Sequence, residues 1–239
     1  MAGTRAHGQG DGLAPPPLSP RSRATVRSWL GGMLPGARER RVQVAAYATE
    51  WSGANDTARS QAGPCWVVLG DSTAQAIGAS SIEHGYVGQV VAHLRQRDSR
   101  PWRVVNLSRT GALASEVLAA QLPALHRLGP VDLVSCAIGA NDLLRRRSGT
   151  EAAMAGIAAT LPPGALLANL PRGLREGRAA LLNSTIADLA AAHDLRLVDL
   201  WAHTGPPWRN KFSGDGFHPN DAGYRDWAAA FIEALPEPA

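Results

Sequence analysis

Lysine is almost missing from this chain: of its 24 basic residues only Lys211 is a lysine, and the rest are arginines. The bias reads as a coding preference, because the arginines are scattered, with local runs only at Arg38-Glu39-Arg40-Arg41 and Arg145-Arg146-Arg147. The formal net charge is only +4. Without a basic face interleaved with aromatics, or a known docking element, this charge does not make a nucleic-acid-binding module. Cysteine is scarce as well. Cys65 and Cys136 lack metal-ligand spacing and sit inside apolar runs, so they read as buried, inert thiols. A disulfide is not expected, since the first 25 residues contain no apolar export segment. No run approaches the roughly 18 apolar residues that span a bilayer. Neither G-x-x-x-x-G-K-[ST] nor a G-x-G-x-x-G after a strand occurs, which leaves no phosphate-cradling loop. His84, His93, His126 and His193 have no partner at metal spacing, so no metal site is expected. The resulting expectation is a cytoplasmic protein that works on a small molecule.

What is present suffices for a substantial core. Of 239 residues, 45% are hydrophobic, and a chain of this size should bury about 70% of the surface it exposes when unfolded. Residues 1–24 are rich in Gly, Pro, Ser and Arg and read as a disordered tail. Residues 25–62 form an extension. Within it, from about Arg38 to Thr57, Val44, Tyr47, Trp51 and Ala54 recur at steps of three and four, which predicts an amphipathic helix. It either packs on the domain or also shapes the entrance to a site.

Residues 63–239 read as one α/β domain. Five apolar runs predict strands: Cys65–Leu69, Trp102–Leu107, Val131–Ile138, Ala165–Leu170 and Leu195–Leu200. Continuous rather than alternating apolarity predicts strands covered on both faces. Between them lie amphipathic segments at Tyr86–Arg97, Ala114–Leu128, Glu151–Leu161 and Arg175–Ala192. A last helix runs from about Asp221 to Leu235, with Asn220 as its N-cap. This alternation predicts a doubly wound, parallel five-stranded sheet in the order 2-1-3-4-5, with helices on both faces. Ligands of such sheets bind outside the carboxyl ends of the strands.

Chemistry-bearing residues sit at those ends. Gly70-Asp71-Ser72 follows the first strand, Ser108-Arg109-Thr110-Gly111 the second and Gly139-Ala140-Asn141-Asp142 the third; Asp215-Gly216-Phe217-His218 precedes the last helix. Acyl transfer needs a hydroxyl nucleophile, a base in reach, a group that orients the base, and donors aimed at a developing oxyanion. Ser72, on a strand-to-helix turn that exposes it, supplies the hydroxyl, and His218 a base suited to neutral pH. Asp215, three residues upstream, can fix the imidazole tautomer. The N–H groups of Ser72 and Gly111 and the Asn141 amide make a three-donor oxyanion hole, Gly111 having no side chain to block close approach. Each motif alone is weak; the four in this order are specific. Asp71 and Asp142 read first as structural hydrogen-bonding groups, and Arg109 as a solvated or packing arginine. Asp71, Arg109 and Trp208 remain possible substrate contacts, as does His203 in the loop before the histidine.

These blocks resemble the SGNH (GDSL-like) lipases and esterases. Ser72, Gly111, Asn141 and His218 stand where that family carries its Ser, Gly, Asn and His, over roughly residues 65–235. Thr73 departs from the family's frequent leucine after the serine, which leaves the substrate subgroup open. The resemblance implies a three-layer, flavodoxin-like fold, hydrolysis of carboxylic esters or thioesters, and no cofactor. The same serine chemistry serves an acyltransferase, and the same fold a binding module, although a module would normally have lost Ser, Asn or His.

Overall fold

The computed structural model describes residues 37–237, so the tail at 1–24 and the start of the extension lie outside the described residues. A long helix, α1 (Ala37–Ser60), leads into β1 (Cys65–Gly70). It is followed by α2 (Tyr86–Asp98), β2 (Arg103–Asn106), α3 (Ala114–Glu116), α4 (Leu122–His126), β3 (Leu133–Ala137), α5 (Ala140–Leu144) and α6 (Thr150–Thr160). The chain closes with β4 (Leu166–Ala168), α7 (Glu176–Ala192), β5 (Arg196–Val198), α8 (Leu200–His203) and α9 (Asp221–Glu233). The five strands are parallel, in the order β2-β1-β3-β4-β5. Among the described residues no helix is long and apolar enough to cross a membrane.

Side-chain alternation along the strands builds two cores. Val67 and Leu69 of β1 pack with Val134, Cys136 and Leu167 against α4, α6 and α7, through residues such as Leu122, Ile157 and Ile186. Trp66 and Val68 point the other way, joining Leu133, Leu166 and Val198 against α1, α2 and α9. There Tyr86 stacks on Phe231 at 4.5 Å. Buried Trp66 satisfies its indole N–H by donating to the Ser135 hydroxyl at 2.9 Å. Cys65 and Cys136 are buried free thiols, and burial pushes Cys136 up to about 12.

Several elements depart from the sequence expectation for identifiable reasons. The segment expected as one helix over 114–128 contains a π turn at Val117–Gln121 between α3 and α4. Pro123, which has no N–H to give to the preceding turn, follows one residue later. β4 ends early because the Asn183 side chain takes both backbone groups of Leu170, at 2.7 and 3.0 Å. β5 ends where Asp199 caps α8 by accepting from Ala202 N–H. Asn220 caps α9 as expected, accepting from the N–H groups of Ala222 and Gly223.

Candidate active site

The switch between β2 and β3 on either side of β1 opens a crevice at the strands' carboxyl ends, and the four blocks meet there. Gly70 ends β1 with φ 152°, and a Cβ on it would lie 2.6 Å from the Ala137 carbonyl oxygen, so only glycine fits. Its N–H and C=O are both held by the Gln121 side-chain amide, at 2.8 and 2.9 Å. Asp71 then folds the chain back, its Oδ1 accepting from the Thr73 N–H and hydroxyl at 3.0 and 2.9 Å. Ser72 therefore sits on a series of turns that runs to Ser80, and not at the mouth of a helix; α2 begins only at Tyr86.

His218 reaches Ser72 from the loop before α9. Its Nε2 lies 2.9 Å from Ser72 Oγ, and its Nδ1 lies 2.7 Å from Asp215 Oδ2. The other oxygen, Asp215 Oδ1, accepts from the Ser213 hydroxyl and from the N–H groups of Phe217 and His218, at 2.9, 2.7 and 2.9 Å. Burial acts to raise this carboxyl, but the hydrogen bond and charge of His218, with the two backbone donors, hold it well below the usual carboxylate range. An ionised Asp215 accepts from Nδ1–H and leaves Nε2 free to accept from the serine.

In the second block Gly111 adopts φ 77°. Neither its N–H nor that of Ser72 is taken by a backbone carbonyl among the described residues. The Asn141 amide, at the start of α5, donates to Asp71 Oδ2 and to the Ala112 carbonyl, both at 3.1 Å. Asp71 is thus a buried anchor beneath Asn141 and not a wall of the crevice; burial raises its carboxyl, against the opposing hydrogen bonds from Thr73. Gln75 carries the second block, accepting from the N–H and hydroxyl of Thr110 and donating to the Ser108 carbonyl. Asp142 accepts from the Ala114 N–H at the start of α3. Arg109 is held in an ion pair with Glu116.

Beside His218 a largely apolar cavity of about 120 Å³ opens, lined by Trp208, Phe212, Phe217, Trp227 and Leu174 among others. The rings of Trp208 and Phe212 lie 5.8 Å apart, and Lys211 pairs with Asp226 at its margin. His203 points elsewhere, pairing with Glu233 at 2.9 Å.

Sequence reasoning missed the polar residues that hold these loops. Gln121 shows only as a polar interruption in an apolar stretch. On α1 the apolar positions Tyr47 and Trp51 were visible, but Arg40, Gln43 and Asn55, which share their face at helical spacing, were not singled out. Gln43 accepts from Gly78 N–H and donates to the Ala79 carbonyl, at 2.9 and 2.7 Å. Tyr47 donates to the same carbonyl, and Trp51 to that of Gln75. Asn55 takes both backbone groups of Asn106, at 2.9 and 2.7 Å.

Solved structures share this fold. The lipase Lip_vut3 from a goat rumen metagenome superposes with a TM-score of 0.63 at 19% identity, over 72% of this chain and 97% of that one. The acetylxylan esterase Axe2 from Geobacillus stearothermophilus gives 0.60 at 20% identity, over 75% and 100%. TesA gives 0.61 at 25% identity, over 71% and 97%. No curated protein sequence matches significantly. Residues 68–225 match the profile of the GDSL-like lipase/acylhydrolase family. That match covers all four blocks and most of the described chain, so this protein belongs to the GDSL-like lipase/acylhydrolase family and is an esterase-type hydrolase.

Proposed function

We propose that the protein cleaves carboxylic or thioesters through an acyl-enzyme, with Ser72 as nucleophile, His218 as general base and Asp215 as the group that orients it. The observation that carries this is the unbroken chain from Ser72 Oγ to His218 Nε2 at 2.9 Å and from His218 Nδ1 to Asp215 Oδ2 at 2.7 Å. Oγ attacks the carbonyl carbon as its proton passes to Nε2. The tetrahedral intermediate collapses, and the leaving oxygen or sulfur departs with that proton. Water then repeats the cycle on the acyl-enzyme, with His218 again as base, and returns the serine.

The N–H groups of Ser72 and Gly111 and the Asn141 amide serve the oxyanion. Asn141 already gives one N–H to the neutral Ala112 carbonyl. A charged oxygen competes well for it, since charge-assisted hydrogen bonds are roughly twice as strong as neutral ones. The cavity beside His218 takes the acyl group. At about 120 Å³ it is near the size of the roughly 150 Å³ engineered cavity that accepts benzene, which favours short or aromatic acyl groups. The catalytic unit is residues 63–239, and α1, the described part of the 25–62 extension, packs upon it.

A fluorophosphonate probe should label the protein, and Ser72→Ala should abolish labelling; label retained in that variant would mean another nucleophile. A panel of p-nitrophenyl esters of rising chain length, run beside acetylated sugars and acyl-thioesters, then ranks substrates, and product analysis with alcohol acceptors separates hydrolysis from transfer.

A further inference from the structure

Asp215 has a charged partner that comes from outside the matched region. Arg40, on α1, places its Nε 2.8 Å from Asp215 Oδ2, the same oxygen that receives His218 Nδ1. Both side chains are largely shielded, with 10% and 4% exposure. Nε makes no in-line hydrogen bond, so the contact is ionic and leaves Oδ2 directed at the histidine. The contact belongs to a continuous face of α1: Arg40 touches the aspartate, Gln43 and Tyr47 the Gly78–Ala79 turn, Trp51 Gln75, and Asn55 the end of β2. Four of these five contacts are hydrogen bonds that fix backbone. Arg40 alone brings a formal charge to the triad.

We propose that Arg40 is a positioning residue for the triad, which pins the Asp215 carboxylate and, by sharing Oδ2, weakens the support that carboxylate gives to a protonated His218. The proposal rests on the serine-hydrolase reading above. An arginine cannot lose its charge in the working pH range, so its effect on the base is constant. A positive charge this close disfavours imidazolium directly, and it also partly neutralises the anion that favours imidazolium. Both effects have the same sign, opposing positive charge on the base that must take the serine's proton. The other charged groups around the pair are Asp71, behind Ser72, which favours imidazolium; Tyr224 of α9, neutral because burial holds its hydroxyl well above its ordinary value; and Lys211 with Asp226, which compensate each other across the cavity. None of them touches Oδ2.

The test compares the pH dependence of the fluorophosphonate labelling rate in the parent, Arg40→Met and Arg40→Lys proteins, together with an NMR titration of the His218 ring. Arg40→Met should move the acid limb of labelling and the ring titration upward together, by roughly 0.5–1 pH unit, the scale of a single nearby charge partly screened by solvent. Arg40→Lys should restore the parent midpoint within about 0.2 unit, because the charge survives in altered geometry. A role in tethering alone would slow labelling at all pH values with the midpoint unmoved, and that result overturns the proposal. Should Arg40→Met not fold, Arg40→Gln takes its place with the same expectations. A parent protein that takes no label would refute the triad reading itself, whereas a labelled parent with an unmoved midpoint in the variants refutes only the role of Arg40.

Discussion

Replacing Asn141 with alanine should produce two separable losses. The first is kinetic. Loss of an amide that meets charge only in the transition state lowers kcat far more than it raises KM, and one such donor is worth on the order of 10²–10³ in rate, about 3–4 kcal/mol. The second is structural. Asp71 Oδ1 is satisfied by Thr73, but Oδ2 receives its hydrogen bond from Asn141 Nδ2. Truncation leaves that buried oxygen without its donor, which costs about 1–3 kcal/mol. For a domain of this size the loss is roughly 2–12 °C in melting midpoint, at about 2–4 °C per kcal/mol. Steady-state kinetics on a short-chain p-nitrophenyl ester and a thermal melt, taken on the same preparation, read both quantities. A variant whose midpoint falls while kcat stays within about tenfold of the parent would mean that Asn141 only ties Asp71 to the Ala112 loop, and the oxyanion would then belong to Ser72 and Gly111 alone.

Other perturbations have signs fixed by the structure. Trp51→Ala removes a ring that is 6% exposed and should destabilise by about 3–5 kcal/mol; a change below 1 kcal/mol in a urea titration would mean that α1 is not docked in solution. Asp215 is held ionised in the folded state, so its stabilisation is complete above the unfolded value of about 3.9 and fades as pH falls below it. Asp215→Asn should therefore be less stable than the parent at pH 6, with the gap narrowing at pH 3; a gap independent of pH would refute this. Burial raises Asp71 and Asp142, so they act in the opposite sense, and both proteins share that contribution. Trp208→Ala should enlarge the cavity and shift the preferred p-nitrophenyl ester toward longer acyl chains; an unchanged chain-length profile would place the acyl group elsewhere.

The sheet order, the helices flanking it and the meeting of four loops were legible because each rests on a local signal: apolar runs for doubly covered strands, helical periodicity between them, and polar residues confined to strand ends. Element lengths were less legible, because they depend on side chains far away in sequence. Nothing within residues 165–170 announces that Asn183 will draw Leu170 out of the ladder. Ser72, His218 and Asp215 stand out as reactive types in short motifs. The glutamines and asparagines that hold them, Gln75, Gln121, Asn55 and Asn106, are ordinary residues whose importance appears only when their partners are known. Arg40 is the extreme case: in sequence it is one member of an arginine run, and only the fold sets it against Asp215 from 175 positions away.

The grip of Asn55 on Asn106 also governs how this molecule meets its own copies. β2 is one of the sheet's two outer strands, and alternate residues of such a strand present unpaired amides and carbonyls to any passing chain. Its inward groups are engaged, with Arg103 and Leu107 donating to Pro64 and Val68. The outward groups of Asn106 are closed by a carboxamide that imitates a neighbouring strand one residue long. Arg103 bends back across the same margin to the carbonyls of Ala58 and Gly63, so that only Val104 still faces outward, and it is 9% exposed. A helix laid along this border, and not a further strand, ends the sheet here and leaves no template on which a second molecule could continue it.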